Sequence, residues 1–299
     1  MTISHHPRED PHRPRLFLLA LIVALLTTTA CTGGSEDGVH GAGSSVAATP
    51  AAANEPFVVN VAGIAIPDGP LGVSIRRGQA IMMATRDSLP ANVGNGLRCT
   101  TCHLDAGTRE NSMPWTGVYA RFPQYRSRTG SVIRLEDRVN DCLLRSLNGA
   151  PLDVESDAMR DIVAYMAHLS QGVPVGATVR GQGLARLEPL PADTVRGRAI
   201  FDSRCVACHG VDGQGTGIAP ALWGPESYNI GAGMSRLNTA AAFIKHNMPL
   251  DAANLTDQQA YDVAAYVISR PRPDFPGKEN DWPNGDPPPD VAYRTRAAR

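Results

Sequence analysis

Two segments of the form CxxCH, Cys99-Thr-Thr-Cys102-His103 and Cys205-Val-Ala-Cys208-His209, constrain this chain of 299 residues more than any other feature. In such a segment two thiols are spaced to form thioether bonds with the vinyl groups of a haem, and the adjacent imidazole reaches the iron from one face. Chance at this composition would give only ~0.003 matches, so zinc-binding or disulfide-cycling cysteine pairs are the weaker reading. Two covalently bound haem c groups are expected. Cys99, Cys102, Cys205 and Cys208 would attach them, with His103 and His209 as the proximal iron ligands. Each haem supplies a large apolar body around which a small helical domain can close, so an aromatic content of 5% is no obstacle to a core.

The N-terminus agrees with haem attachment outside the cytoplasm. Arg8, Arg13 and Arg15 precede an apolar run, Leu16 to Leu26, with the length of a signal-peptide core and too short to span a bilayer. Thr28-Thr29-Ala30-Cys31 resembles a lipoprotein cleavage site, with Thr28 where leucine is usual; cleavage by an ordinary signal peptidase is the alternative. Residues 1–31 therefore read as a signal peptide of lipoprotein type and 32–54, rich in Gly, Ala and Ser, as a flexible tether. The protein is expected to be exported, touching a membrane only through a lipid on Cys31. A net charge of -1 gives no support for a nucleic-acid partner.

The rest divides into a first cytochrome c domain at 55–171, a Gly/Pro/Val-rich linker at 172–193, a second at 194–270 and a proline-rich extended tail at 271–299. The fold class is all-α, one cytochrome c-like domain around each haem. In the second domain a short helix carrying Gly197, Ile200 and Phe201 leads into Cys205, and a closing helix follows Thr256, with Gln259 placed for a capping box and Tyr261, Ala264, Ala265 and Ile268 as its apolar stripe. A sixth ligand is needed from the far side of that haem. Met248, 39 residues after His209, is the candidate, with Met234, His246 and Lys245 as competitors.

Counting the same 39 residues from His103 lands on Cys142. Leu135, Val139, Cys142 and Leu143 share one helix face, so Cys142 points inward. It is also the one cysteine left over once the haems and the leader are accounted for. A Cys on an apolar face is commonly a small core residue, but its place in the duplicated plan favours the distal ligand slot, where a thiolate would lower the haem's potential. Around it the stretch 121–145 carries six arginines (121, 126, 128, 134, 138 and 145) against Glu136, Asp137 and Asp141. Arginine forks suit oxyanions, although some of the six are expected to pair within the helix.

These residues identify a family. Gly96 to His103, Ser112 to Arg128, Asn140 to Gly149 and the second CxxCH resemble the dihaem thiosulfate dehydrogenases, over roughly Pro67 to Ser269. The resemblance implies oxidative joining of two thiosulfates to tetrathionate, sometimes reversed, with electrons passed to an external acceptor such as a soluble cytochrome c. It implies His103 and Cys142 on the active-site haem and His209 and Met248 on the second. Arg128 and Arg138 would neutralise sulfonate oxygens, and Ser146, one turn after Cys142, would donate a hydrogen bond. Cys142 either stays on the iron or leaves it to bond the outer sulfur of a substrate. Some members place a lysine next to the methionine; Asn247 stands there, with Lys245 nearby. A plain electron carrier and a sulfur-transfer cytochrome of the Sox type are the alternatives.

Overall fold

Gly69-Pro70 follows Asp68 and starts helix α1 (Gly69–Met83), where proline's missing N–H is no loss. Its buried residues, Gly72, Ile75, Gly78 and Met82, recur at helical spacing and face α3 (Asp157–His168). The crossing is close because Gly78 has no side chain: a Cβ there would stand 1.9 Å from the Asp161 carbonyl oxygen. The same device recurs where α4 (Thr194–Arg204) crosses α6 (Asp257–Ile268), a Cβ on Gly197 falling 2.0 Å from the Asp262 carbonyl. In both crossings the aspartate side chain ties the partner helix. Asp161 accepts from Ser74 Oγ at 2.6 Å and pairs with Arg77 at 2.8 Å, while Asp262 pairs with Arg196 at 2.7 Å. The duplication read from the CxxCH segments thus extends to the helix crossing of each half.

This computed structural model describes residues 55–296; the readings for 1–54 and for the last three residues lie outside it. Between the paired helices come α2 (Leu135–Arg145) in the first half and α5 (Leu237–Asn247) in the second. Thr256 Oγ accepts the Gln259 N–H at 3.2 Å and Gln259 Oε1 accepts the Thr256 N–H at 2.8 Å, the capping box that starts α6. Burial on α6 is wider than a single stripe. Val263, Tyr266 and Val267 are buried along with Tyr261 and Ala264, because α4 and α5 cover different faces of it.

Three details go beyond the helical plan. A small antiparallel hairpin, β1 (Gln124–Arg126) and β2 (Ser131–Ile133), sits where no strand was expected, turned through Gly130 at φ +63°. Residues 172–193 run back along the first domain: Val179 bridges Phe57, and Gly181 and Gly183 accept the N–H groups of Asn111 and Met113 at 2.8 and 2.7 Å. The proline-rich segment after 271 was expected to be extended but is mostly turns and bends, including one 3-10 turn (Lys278–Asn280), and it is anchored to the first domain. Trp282, 2% exposed, donates its N–H to the Arg128 carbonyl at 2.8 Å. Among the described residues no helix is long and apolar enough to cross a membrane.

Candidate active site

Each CxxCH segment winds through one helical turn, which brings its first cysteine and its histidine to one side. The His103 N–H donates to the Cys99 carbonyl at 3.1 Å, and the His209 N–H to that of Cys205 at 2.9 Å. Both imidazoles are then oriented from behind. Nδ1 of His103 donates to the Met113 carbonyl at 2.5 Å, and Nδ1 of His209 to the Pro220 carbonyl at 2.9 Å. A carbonyl only accepts, so Nδ1 carries the proton and Nε2 keeps a free lone pair, the tautomer that an iron ligand needs. Burial, with a smaller contribution from Arg138, pushes the His103 imidazolium down to about 4, so the ring is neutral at physiological pH. Trp115 packs on it with ring centres 4.9 Å apart.

In front of His103 lies a cavity of about 610 Å³. Cys99, Cys102 and His103 contribute to its wall, Met82, Leu89, Leu97 and Leu143 give it apolar surface, and Cys142 lines it too. A flat macrocycle tethered by two cysteines, with histidine on its iron, fits such a space, apolar within and cationic at its rim. The structure therefore brings both expected ligands of the first haem, His103 and Cys142, to one cavity.

The chemistry at Cys142 follows from helix spacing. Arg138 and Cys142 lie at i and i+4 on α2, and Arg138 Nη1 donates to Cys142 Sγ at 3.0 Å. The negative charge of a Cys142 thiolate raises the pKa of Arg138 against the effect of burial. Ser146, one turn further on, closes α2 with its N–H on the Cys142 carbonyl at 2.8 Å and lines the same cavity.

The arginines separate into two kinds. Arg134 pairs with Asp137 at 3.5 Å on the helix surface, and Arg145 is buried in a two-pronged pair with Asp281 at 2.8 Å on both prongs; these two are structural. Arg121, Arg126, Arg128 and Arg138 line the cavity, and among the described residues none has a carboxylate closer than the 3.9 Å between Arg128 and Asp281. Arg128 donates to the Gly231 carbonyl at 2.7 Å and lies 4.7 Å from the centre of the Trp282 ring. Burial first, then the like charge of Arg145, pushes Arg128 down to about 10. In all, seven arginines and a single acid, Asp141, line the cavity. Reading the sequence missed Arg236, Asp281 and Trp282, which come from the second domain and the tail; no local pattern links them to Cys142.

At the second haem position, Met248 follows α5 directly and is half-buried. Of its competitors, Met234 packs against the core of the first domain. Lys245 is held away by the Leu255 carbonyl at 2.8 Å and Asp257 at 3.0 Å. His246 keeps Nε2 buried without a partner among the described residues. Asn247 is buried, its amide donating to the carbonyls of Phe243 and Asn111 at 3.0 and 3.1 Å, so it joins the two domains.

Two helical domains, each with a CxxCH turn and an oriented histidine, define a c-type cytochrome with two covalent haems. The family model described as SoxA/TsdA, cytochrome c domain, matches residues 91–175, and that described as cytochrome c matches 194–270. A thiosulfate dehydrogenase of Allochromatium vinosum is 51% identical over 223 residues, covering 70% of this chain and 82% of the relative. One of Psychrobacter arcticus is 43% identical over 234 residues, covering 76% and 72%. A solved thiosulfate dehydrogenase (TsdBA) of Marichromatium purpuratum superposes with a TM-score of 0.73 at 34% identity; the match covers 80% of this chain and 55% of that one, just over half its length. The chain belongs to the thiosulfate dehydrogenase family.

Proposed function

We infer that this protein oxidises two thiosulfate ions to tetrathionate, forming one S–S bond between their outer sulfurs and releasing two electrons to an external acceptor such as a soluble cytochrome c. Family membership supports the reaction, and the observation that carries its location is the 3.0 Å contact of Arg138 with Cys142 inside a cavity lined by arginine. The two haems, when bound, take up the electrons and pass them on.

The protein's own task is to bring like charges together. Two dianions about 6 Å apart repel by roughly 10 kcal/mol at an effective dielectric of about 20. A cavity of balanced charge would not admit both. Arg138 and Arg128 offset that repulsion at the sulfonate oxygens, and Ser146 adds a hydrogen bond near the sulfur that reacts. Cys142, held by Arg138, would with His103 hold the iron of the first haem and so bring its oxidising power to the substrate. His209 and Met248 would hold the iron of the second haem, which would supply the exit for electrons. Export and a lipid on Cys31 are part of the same reading, and incorporation of labelled fatty acid that is lost in Cys31→Ser tests the anchor.

The reaction itself is tested by thiosulfate-dependent reduction of ferricyanide with the product identified. Tetrathionate at one molecule per two electrons is expected. A haem-loaded protein that exchanges electrons with other cytochromes but yields no tetrathionate would make it a carrier instead.

A further inference from the structure

Tetrathionate carries a sulfonate at each end, so a site that makes it from two thiosulfates must hold two sulfonates at once. Arg138 stands at Cys142, where one substrate's sulfur reacts. Other cations of the cavity are held differently. Arg128 is fixed by the Gly231 carbonyl and Trp282, and another cation comes from the other domain: Arg236, immediately before α5, lines the same cavity. Its Nε is buried with no hydrogen-bond partner, and among the described residues its guanidinium has no carboxylate. Arg128 and Arg236 thus line one cavity from different domains, and the acid nearest Arg128, Asp281 at 3.9 Å, is already held by both prongs of Arg145. Arg236 is half-buried, and leaving its buried Nε without a partner is costly unless an anion meets it.

We propose that Arg236, supplied by the electron-exit domain, forms with Arg128 a second sulfonate subsite, so that the substrate pocket is completed across the domain boundary. This rests on the thiosulfate reading above. It gives the two ends of tetrathionate separate cationic seats, one on α2 at Cys142 and one shared by the β1–β2 turn and the start of α5. A carboxylate of the first haem is the other anion that could meet Arg236, and the test separates the two.

The test compares wild type, Arg236→Gln and Arg236→Lys as holoproteins of equal haem content. It measures KM and kcat for thiosulfate, the dissociation constant of tetrathionate from the ferric protein, and the reduction potential of the first haem. Arg236→Gln is expected to raise KM and weaken tetrathionate binding by at least about tenfold with a much smaller change in kcat. Arg236→Lys should recover part of the loss, and the potential should stay as in wild type. Unchanged KM and tetrathionate affinity in Arg236→Gln would overturn the subsite, as would a shifted potential with KM unchanged, which marks a haem carboxylate as the partner. If wild type binds tetrathionate through Arg236 yet turns over no thiosulfate, the subsite stands and the proposed reaction falls.

Discussion

One turn of helix separates Arg138 from Cys142, and the charge relation between them decides what this cavity can do. A guanidinium that donates to the sulfur at 3.0 Å through one Nη still presents its other N–H groups to an anion. Arg138→Gln should therefore lower kcat/KM for thiosulfate on the order of 100-fold. Both haems should remain attached, as steady-state kinetics beside a haem stain will show. At this scale the sequence was informative where function lies along one helix: Cys142, Arg138 and Ser146 recur four residues apart and share the cavity. It was uninformative about which arginines are committed elsewhere. Arg145 looks like Arg138 in the sequence, but its partner, Asp281, is 136 residues away.

Two helix crossings built alike, α1 on α3 and α4 on α6, hold the two CxxCH turns in place. At Gly197 a methyl group would collide with the Asp262 carbonyl, 2.0 Å from its Cβ, and this outweighs alanine's better helix propensity of about 1 kcal/mol. Gly197→Ala is expected to lower the unfolding free energy by about 1–3 kcal/mol, measured by denaturant titration of the holoprotein. Asp262 adds a pH dependence. Burial alone would raise its pKa, but Arg196, the Asp193 N–H and Gln258 outweigh burial and hold it below the usual carboxylate range. A depressed native pKa contributes stability above the unfolded value of about 3.9, lost as pH falls through the native one. The stability gap between wild type and Asp262→Asn should accordingly close as pH drops below about 4. The capping box at Thr256 and Gln259 was readable because its signal is local. The β1–β2 hairpin was not, since three-residue strands carry too little alternation to stand out.

Across the whole molecule, the second domain and the segment after it close over the first domain's cavity. Asp281 receives both prongs of Arg145 and the Tyr293 hydroxyl, the latter at 2.6 Å, while Trp282 lies against Arg128. Asp281→Ala leaves the Arg145 charge buried without its partner and should cost about 3–5 kcal/mol of stability, visible as a lowered thermal midpoint. Two haem domains and their order were legible because each CxxCH is a complete five-residue instruction. The closure was not, because a proline-rich stretch signals only that it cannot be helical and not where it goes. Residues 172–193 illustrate the same limit: read as a linker, they form a seam hydrogen-bonded to Asn111 and Met113. Oxidation at Cys142 is tested most directly by the rate of tetrathionate formation in Cys142→Ser carrying both haems. A fall of at least about 100-fold is expected, well beyond a perturbed potential alone. A rate within about twofold of wild type would contradict it.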